Sequence, residues 1–358
     1  MSLLLLSLLA VSWPLGNLIR FEVFRNVFIT PLDLSVFLIL FYGLFKFSPF
    51  SRLRQPKGGW FFFFLFFIFF LSLLVNFQKV TLFSIAYFGR FFLYASLFWS
   101  LSKLKFPSHK ILVFWSLSAI FISLLFFVLF PDTRILLYAG WDEHYYRLIG
   151  PWLDPNFTGE ILVLVTLFFL ANKQRFGGLF TGATLFLTFS RSSYLALIVG
   201  LLIFFLPKLK RNVFFVLLII VVSLVSIITL ISLIPFAAEG QNLFRTASIQ
   251  GRFDSYQQGF FIFLQNPILG IGFNNYPRFG GHVVAPDSSL LFVLATTGMV
   301  GFGIFIYCLI YLYRHSSHIF LVSLLCLLIH SLFVNSLFYP PILVWLAMVY
   351  NIKDANNL

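Results

Sequence analysis

Long runs of apolar residues, broken at charges and at Pro or Gly, recur along the whole chain. A helix that crosses about 30 Å of hydrocarbon needs roughly 20 mainly apolar residues. Reading the runs between breaks predicts twelve helices, at about 2–19, 31–48, 58–76, 80–101, 111–130, 157–171, 177–190, 192–206, 213–235, 288–312, 319–338 and 340–352. The last is short and follows Tyr339-Pro340-Pro341, and only a tight turn near Arg191 separates the seventh from the eighth. The first run has no basic stretch before it and no convincing small-residue cleavage site after it, so it is expected to stay as a first span. Two stretches escape the pattern, 131–156 and 235–287, and long loops in compact proteins are usually functional. The expected organisation is N-terminal transmembrane helices over 1–130, a loop over 131–156, central helices over 157–234, a long loop with an interfacial helix over 235–287, and C-terminal helices with a tail over 288–358. No internal repeat, low-complexity linker or separate soluble domain is visible.

Composition supports an all-α, polytopic membrane fold. Of 358 residues, 60% are hydrophobic and only 10% are charged, with 53 Phe; a soluble chain carries about 25% charged residues. The net charge of +13 could suggest nucleic acid, but its distribution argues for topology instead. With the N-terminus inside, the predicted cytoplasmic loops hold 14 of the 24 basic residues against one acid, Asp354, and the remaining charges cancel. All the net charge therefore falls on one side, as the positive-inside rule requires. Both termini are expected in the cytoplasm and both long loops outside. The outer side uses Arg almost exclusively, Lys79 being the exception. Arg offers a fixed fork of donors matched to phosphate and carboxylate, although pairing with the equally numerous outer acids would produce the same bias.

Two cysteines in apolar runs, Cys308 and Cys326, make no disulfide framework, and the six histidines form no metal-ligand spacing. No nucleotide-binding motif and no Asp-x-Asp metal motif occurs, so neither cofactor nor metal is expected.

Four segments, in order, resemble the O-antigen ligase and polymerase superfamily. They are RLIGPWLDPNFTG (147–159), with Gly150, Pro155 and Asn156 in a G-x-x-x-x-P-N pattern; LTFSRSSYLALIVG (187–200), with Thr188, Ser190, Arg191 and Ser192; GRFDSYQQGFFIFLQNPILGIGFNNY (251–276), with Arg252 and a P-x-x-G-x-G at Pro267, Gly270 and Gly272; and DSSLLFVLATTGMVGF (287–302). The last has Asp287 where a ligase would have His, and Ser288 in place of the usual Asn, which favours the polymerase-like branch. The resemblance covers the second half; the first half matches only in span number.

The resemblance implies a GT-C-like membrane glycosyltransferase, which moves a glycan from an undecaprenyl-diphosphate carrier to a glycan acceptor without a metal. Its partners would be that donor, the acceptor and the bilayer. A diphosphate leaves with its charge already formed, so cations can stabilise it electrostatically. Arg191 and Arg252 are the candidates for this role, with Arg245 in support. Arg191 could instead be a snorkelling topogenic charge, and Arg252, expected to open an interfacial helix, could pair with Asp254. Asp287 is the first candidate for the base that accepts the acceptor proton, and His282 the second; Asp287 could also cap the following helix. Arg147 and Asn156 are possible substrate contacts, with Asn156 and Asp154 also suited to shaping the loop and capping the sixth span. Arg90, mid-span, needs a partner or contacts a second phosphate. A transporter of lipid-linked sugars is the competing class, and an O-linked protein glycosylating ligase is the competitor within the superfamily.

Overall fold

The computed structural model describes residues 2–24, 27–46, 59–103, 108–139, 141, 144–205, 247–276, 278–279, 282–283 and 285–352. The helices among them are α1 (Ser2–Leu15), α2 (Pro31–Lys46), α3 (Gly59–Val75), α4 (Leu82–Lys103), α5 (Ser108–Leu129), α6 (Pro155–Ala171), α7 (Arg175–Phe186), α8 (Arg191–Phe205), α9 (Ala247–Gln265), α10 (Ser289–His315), α11 (His318–His330) and α12 (Pro340–Tyr350). Eleven of the predicted apolar runs coincide with α1–α8 and α10–α12; the ninth, 213–235, lies outside the described residues. Two short antiparallel hairpins qualify the all-α expectation: β1 (Phe21–Phe24) with β2 (Val27–Ile29), and β3 (Arg278–Phe279) with β4 (His282–Val283).

Among the described residues, Leu82–Leu101, His109–Leu129 and Ser289–Arg314 are long and apolar enough to cross a membrane. The rest of the apolar helices are shorter. α7, at 12 residues, extends only about 18 Å, so it ends well before a bilayer's far side and turns back into α8 near Arg191. α5 shows why the chain suits lipid. Phe114, Leu117, Phe121, Leu125 and Val128 form an exposed stripe at helical spacing, while Leu112, Trp115, Ala119 and Ile120 are buried on the opposite face. Large apolar stripes are costly in water and cost nothing against hydrocarbon.

The interior is aromatic. Trp13 of α1 stacks on Trp115 of α5 at 4.8 Å and lies 5.6 Å from Trp345 of α12. Its indole N–H donates to the Pro341 carbonyl at 2.8 Å, so the polar edge of a buried ring is satisfied. A second cluster joins Phe69, Phe91, Phe273, Phe292 and Phe338 across α3, α4, α10 and their connections.

α10 is not one continuous helix. Gly298 sits inside it at φ 64°, ψ −166°, a region open essentially to Gly alone. The break frees backbone groups that a membrane interior cannot hydrate, and the 267–272 segment meets them. The Ile271 and Gly272 N–H groups donate to the Ala295 and Thr296 carbonyls at 3.1 and 3.0 Å, and the Met299 N–H donates to Pro267 O at 2.8 Å. Ser72 Oγ of α3 lies 2.6 Å from both Leu269 O and Thr296 O, which share its one proton. A Cβ at Gly298 would run into the Ile268 backbone. Gly298→Ala therefore costs about 1–3 kcal/mol for the backbone alone, with steric overlap added. Gly303→Ala on the same helix, where a Cβ meets open space, is the control. In detergent melts Gly298→Ala lowers Tm by many degrees and Gly303→Ala leaves it near wild type; equal melts would refute the interlock.

Candidate functional site

The first two sequence motifs close on one another. Asp154 caps α6, its Oδ1 accepting from the Asn156 and Phe157 N–H groups at 2.6 and 2.9 Å, so the capping role expected of this loop is the observed one. Asn156 Oδ1 accepts from Ser190 Oγ at 3.1 Å. Ser193 Oγ donates to Ser190 Oγ at 2.9 Å, and a Cβ on Gly159 would collide with Ser193. Arg147 is buried. Its Nε and Nη2 donate to the Thr188 and Phe189 carbonyls at 3.0 and 3.3 Å, and Phe189 itself has φ 48°. Arg147 and Asn156, expected as possible substrate contacts, thus brace the strained turn from which α8 begins. That turn presents Arg191 as the first residue of α8.

Arg252 reaches the same place from α9. The helix begins at Ala247, earlier than expected, so Arg252 lies within it and does not open it. Ser255, Tyr256, Gly259 and Ile262 share its inward-turned face, while Phe253, Phe260, Phe261 and Leu264 are exposed. This is the pattern of a helix lying at an interface with its apolar side outward to lipid. Asp254 is engaged by Gln250 Nε2 at 2.9 Å, and among the described residues no carboxylate forms an ion pair with Arg252. Arg191 Nη2 donates to Ser248 Oγ at 2.6 Å, tying α8 to α9.

Both arginines line a cavity of about 370 Å³ whose other walls are Ser192, Leu195, Ile249, Phe253, Tyr256 and Phe333. The guanidiniums are close enough to feel each other's charge, and Arg252 lies 5.9 Å from the Phe333 ring centroid. Two like charges thus share one cavity with apolar walls, and a guanidinium fork is matched to phosphate and carboxylate oxygens. Tyr256 donates to Leu332 O at 2.5 Å, and burial pushes its phenol above the ordinary range, so it stays a donor.

Asp287 is exposed and precedes Ser288, the N-cap residue of α10. Its N–H donates to Ser255 Oγ at 2.8 Å, and its carboxylate is within electrostatic range of Tyr256, which puts it near the arginine cavity. His282 pairs by its backbone with Phe279 in the β3–β4 hairpin; its side chain and the whole of Arg245 lie outside the described residues. Arg90 is elsewhere, in α4. Its Nε and Nη2 bond both oxygens of Asp33 in α2 at 2.7 and 2.8 Å, which supplies the partner that sequence reading could not name.

Two buried groups were not singled out by sequence. His330, at the end of α11, is fully buried; its Nδ1 is 2.5 Å from Ser336 Oγ, and its Nε2 has no hydrogen-bond partner among the described residues. It faces the Asn156 backbone and is within electrostatic range of Arg252. Glu160, one turn past Asn156, is fully buried with both carboxylate oxygens unbonded among the described residues. The available signal was their polarity inside apolar runs.

Residues 176–306 match the family model described as O-antigen ligase, a little over a third of the chain. No curated protein matches it. The matched segment holds α7, α8, α9 and much of α10, and so carries both cavity arginines and the Gly298 break. This match supports assigning the chain to the O-antigen ligase and polymerase superfamily and, with the apolar helices, to the membrane.

Proposed function

We propose that the protein is an extracytoplasmic-facing glycosyltransferase of the cytoplasmic membrane. It would move an undecaprenyl-diphosphate-linked glycan onto a glycan acceptor in cell-surface polysaccharide synthesis, with polymerisation favoured over ligation by Asp287-Ser288. The observation that carries the reading is the convergence of Arg191 and Arg252, distant in sequence, on one apolar-walled cavity. In the reaction an acceptor hydroxyl oxygen bonds to the anomeric carbon as the bond to the diphosphate oxygen breaks. The electron pair leaves with the lipid diphosphate, where the two guanidiniums stabilise the charge, so no metal is needed. The acceptor proton passes to a base, for which the candidates are Asp287, within electrostatic range of Tyr256 in the cavity wall, and His330, within range of Arg252.

The test is transfer by purified protein in nanodiscs, from a lipid-diphosphate oligosaccharide donor with chelator present. Laddered lipid-linked products support the polymerase, and a single product on a different acceptor supports the ligase. Translocation with no glycosidic product, across several donors, would move the reading to a transporter. His330→Gln and Asp287→Asn separate the two bases. The variant that lacks the base loses at least about a hundredfold in transfer while still binding undecaprenyl diphosphate. Full transfer by a variant removes that residue from the role.

A further inference from the structure

A second cavity, of about 360 Å³, opens at the same end of the bundle. Asn17 and Arg20, just after α1, line it together with Thr30 before α2 and the start of α12 at Pro340. The connection between α11 and α12 separates it from the arginine cavity. Phe333 lines the first, whereas Asn335, Phe338 and Tyr339 line the second.

Its walls have a particular chemistry. Tyr87 and Phe83 lie 4.4 Å apart by ring centroids. The Arg20 guanidinium stands 4.3 Å over the Phe28 ring and 4.6 Å over Trp141, which fixes a flat, amphipathic surface. Arg90 also lines the cavity, but Asp33 holds its charge. Three carboxamides complete the lining, Asn17, Asn274 and Asn335; Asn17 Nδ2 already donates to Trp152 O and to the Tyr339 hydroxyl, both at 3.0 Å, so Asn17 contributes its oxygen. Asn335 Oδ1 accepts from Ser289 Oγ at 2.9 Å, and its Nδ2 makes no hydrogen bond among the described residues. A lipid tail has no use for carboxamides, and an anion clamp would not have Arg90 neutralised by Asp33 and Arg20 laid against two rings. Aromatic faces beside planar amide donors and acceptors fit a pyranose, whose C–H face stacks and whose hydroxyls bond to the amides.

We propose that this cavity is a saccharide subsite, and that it holds the sugar chain whose hydroxyl is glycosylated while the arginine cavity holds the donor diphosphate. The acceptor role rests on the transferase reading above; the binding itself does not. The probe is free oligosaccharide released by mild acid from the host's own surface polysaccharide, with binding to full-length protein in nanodiscs read by saturation-transfer NMR. Tyr87→Ala and Trp141→Ala each weaken oligosaccharide binding by about tenfold, Tyr87→Phe largely keeps it, and all three bind undecaprenyl diphosphate as wild type does. Arg191→Ala shows the converse. In the transfer assay the first two raise the acceptor KM and leave the donor KM unchanged. Undiminished oligosaccharide binding in both alanine variants, or none by the wild type, overturns the subsite whether or not transfer occurs. Binding lost in both variants, from a wild type that makes no product, keeps the subsite and removes only the transferase reading.

Discussion

Replacing Arg191 with alanine lowers glycan transfer by at least about a hundredfold, and Arg252→Ala does the same. Removing a single preorganised donor from a developing anion typically costs that much in rate, and here each guanidinium is one of two that face the cavity. Arg191→Lys keeps the charge but loses the fork that grips two phosphate oxygens, so it falls between wild type and alanine. On the proposed reading both guanidiniums act on one diphosphate, so the double variant is only slightly worse than either single one. Ser248→Ala, which removes the hydrogen bond to Arg191 Nη2, has a smaller effect than Arg191→Ala. Undecaprenyl-diphosphate binding falls alongside transfer. Transfer within threefold of wild type in both alanine variants would show that the diphosphate is held elsewhere.

The largest loss of stability is expected at Asp33. Its carboxylate accepts from the Thr30 N–H and hydroxyl, both at 2.8 Å, from Arg90 Nε and Nη2, and from the Tyr94 hydroxyl at 2.8 Å. Asp33 also closes the start of α2 reciprocally, its own N–H pointing to Thr30 Oγ1 at 3.4 Å. Removing one partner of a buried ion pair leaves an uncompensated charge and costs about 3–5 kcal/mol, an upper bound here because Arg90 also reaches the cavity beside it. Asp33→Leu should therefore unfold at much lower temperature in detergent. Asp33→Leu combined with Arg90→Met replaces the pair by apolar groups and recovers much of the loss, because no charge is left stranded. A double variant no more stable than Asp33→Leu alone would show that the cost lies in the cap and the tyrosine, not in the orphaned arginine.

In the sequence alone, Arg191 and Arg252 carry more than one possible role. Arg191 at a turn can also be read as a topogenic charge, and Arg252, two residues before an acid, also as a salt bridge. The structure adds that Gln250 bonds Asp254, that no ion pair joins Asp254 to Arg252 among the described residues, and that both arginines line one cavity; side-chain partners depend on which elements meet. Arg147 shows the reverse. Its place in a family-like motif suggested substrate, but its guanidinium is buried on backbone carbonyls of the turn before α8.

What the sequence determined by itself was local. Apolar runs and their breaks located eleven helices, because burial in lipid depends on consecutive residues and Pro, Gly and charge interrupt it. Asp154 as the cap of α6 was legible for the same reason, since a cap acts on N–H groups two and three residues away. Tertiary structure alone decided the rest. The run containing Gly298 reads as one helix, and only the 267–272 segment, arriving from outside it, makes a break affordable by meeting the freed carbonyls. Arg90 finds Asp33 across α2 and α4, and His330 looks like a lone polar residue in an apolar run until the fold sets it against Ser336 and the Asn156 backbone, within electrostatic range of Arg252. Each of these depends on a contact between residues far apart in the chain, and no local pattern encodes which distant group will supply it.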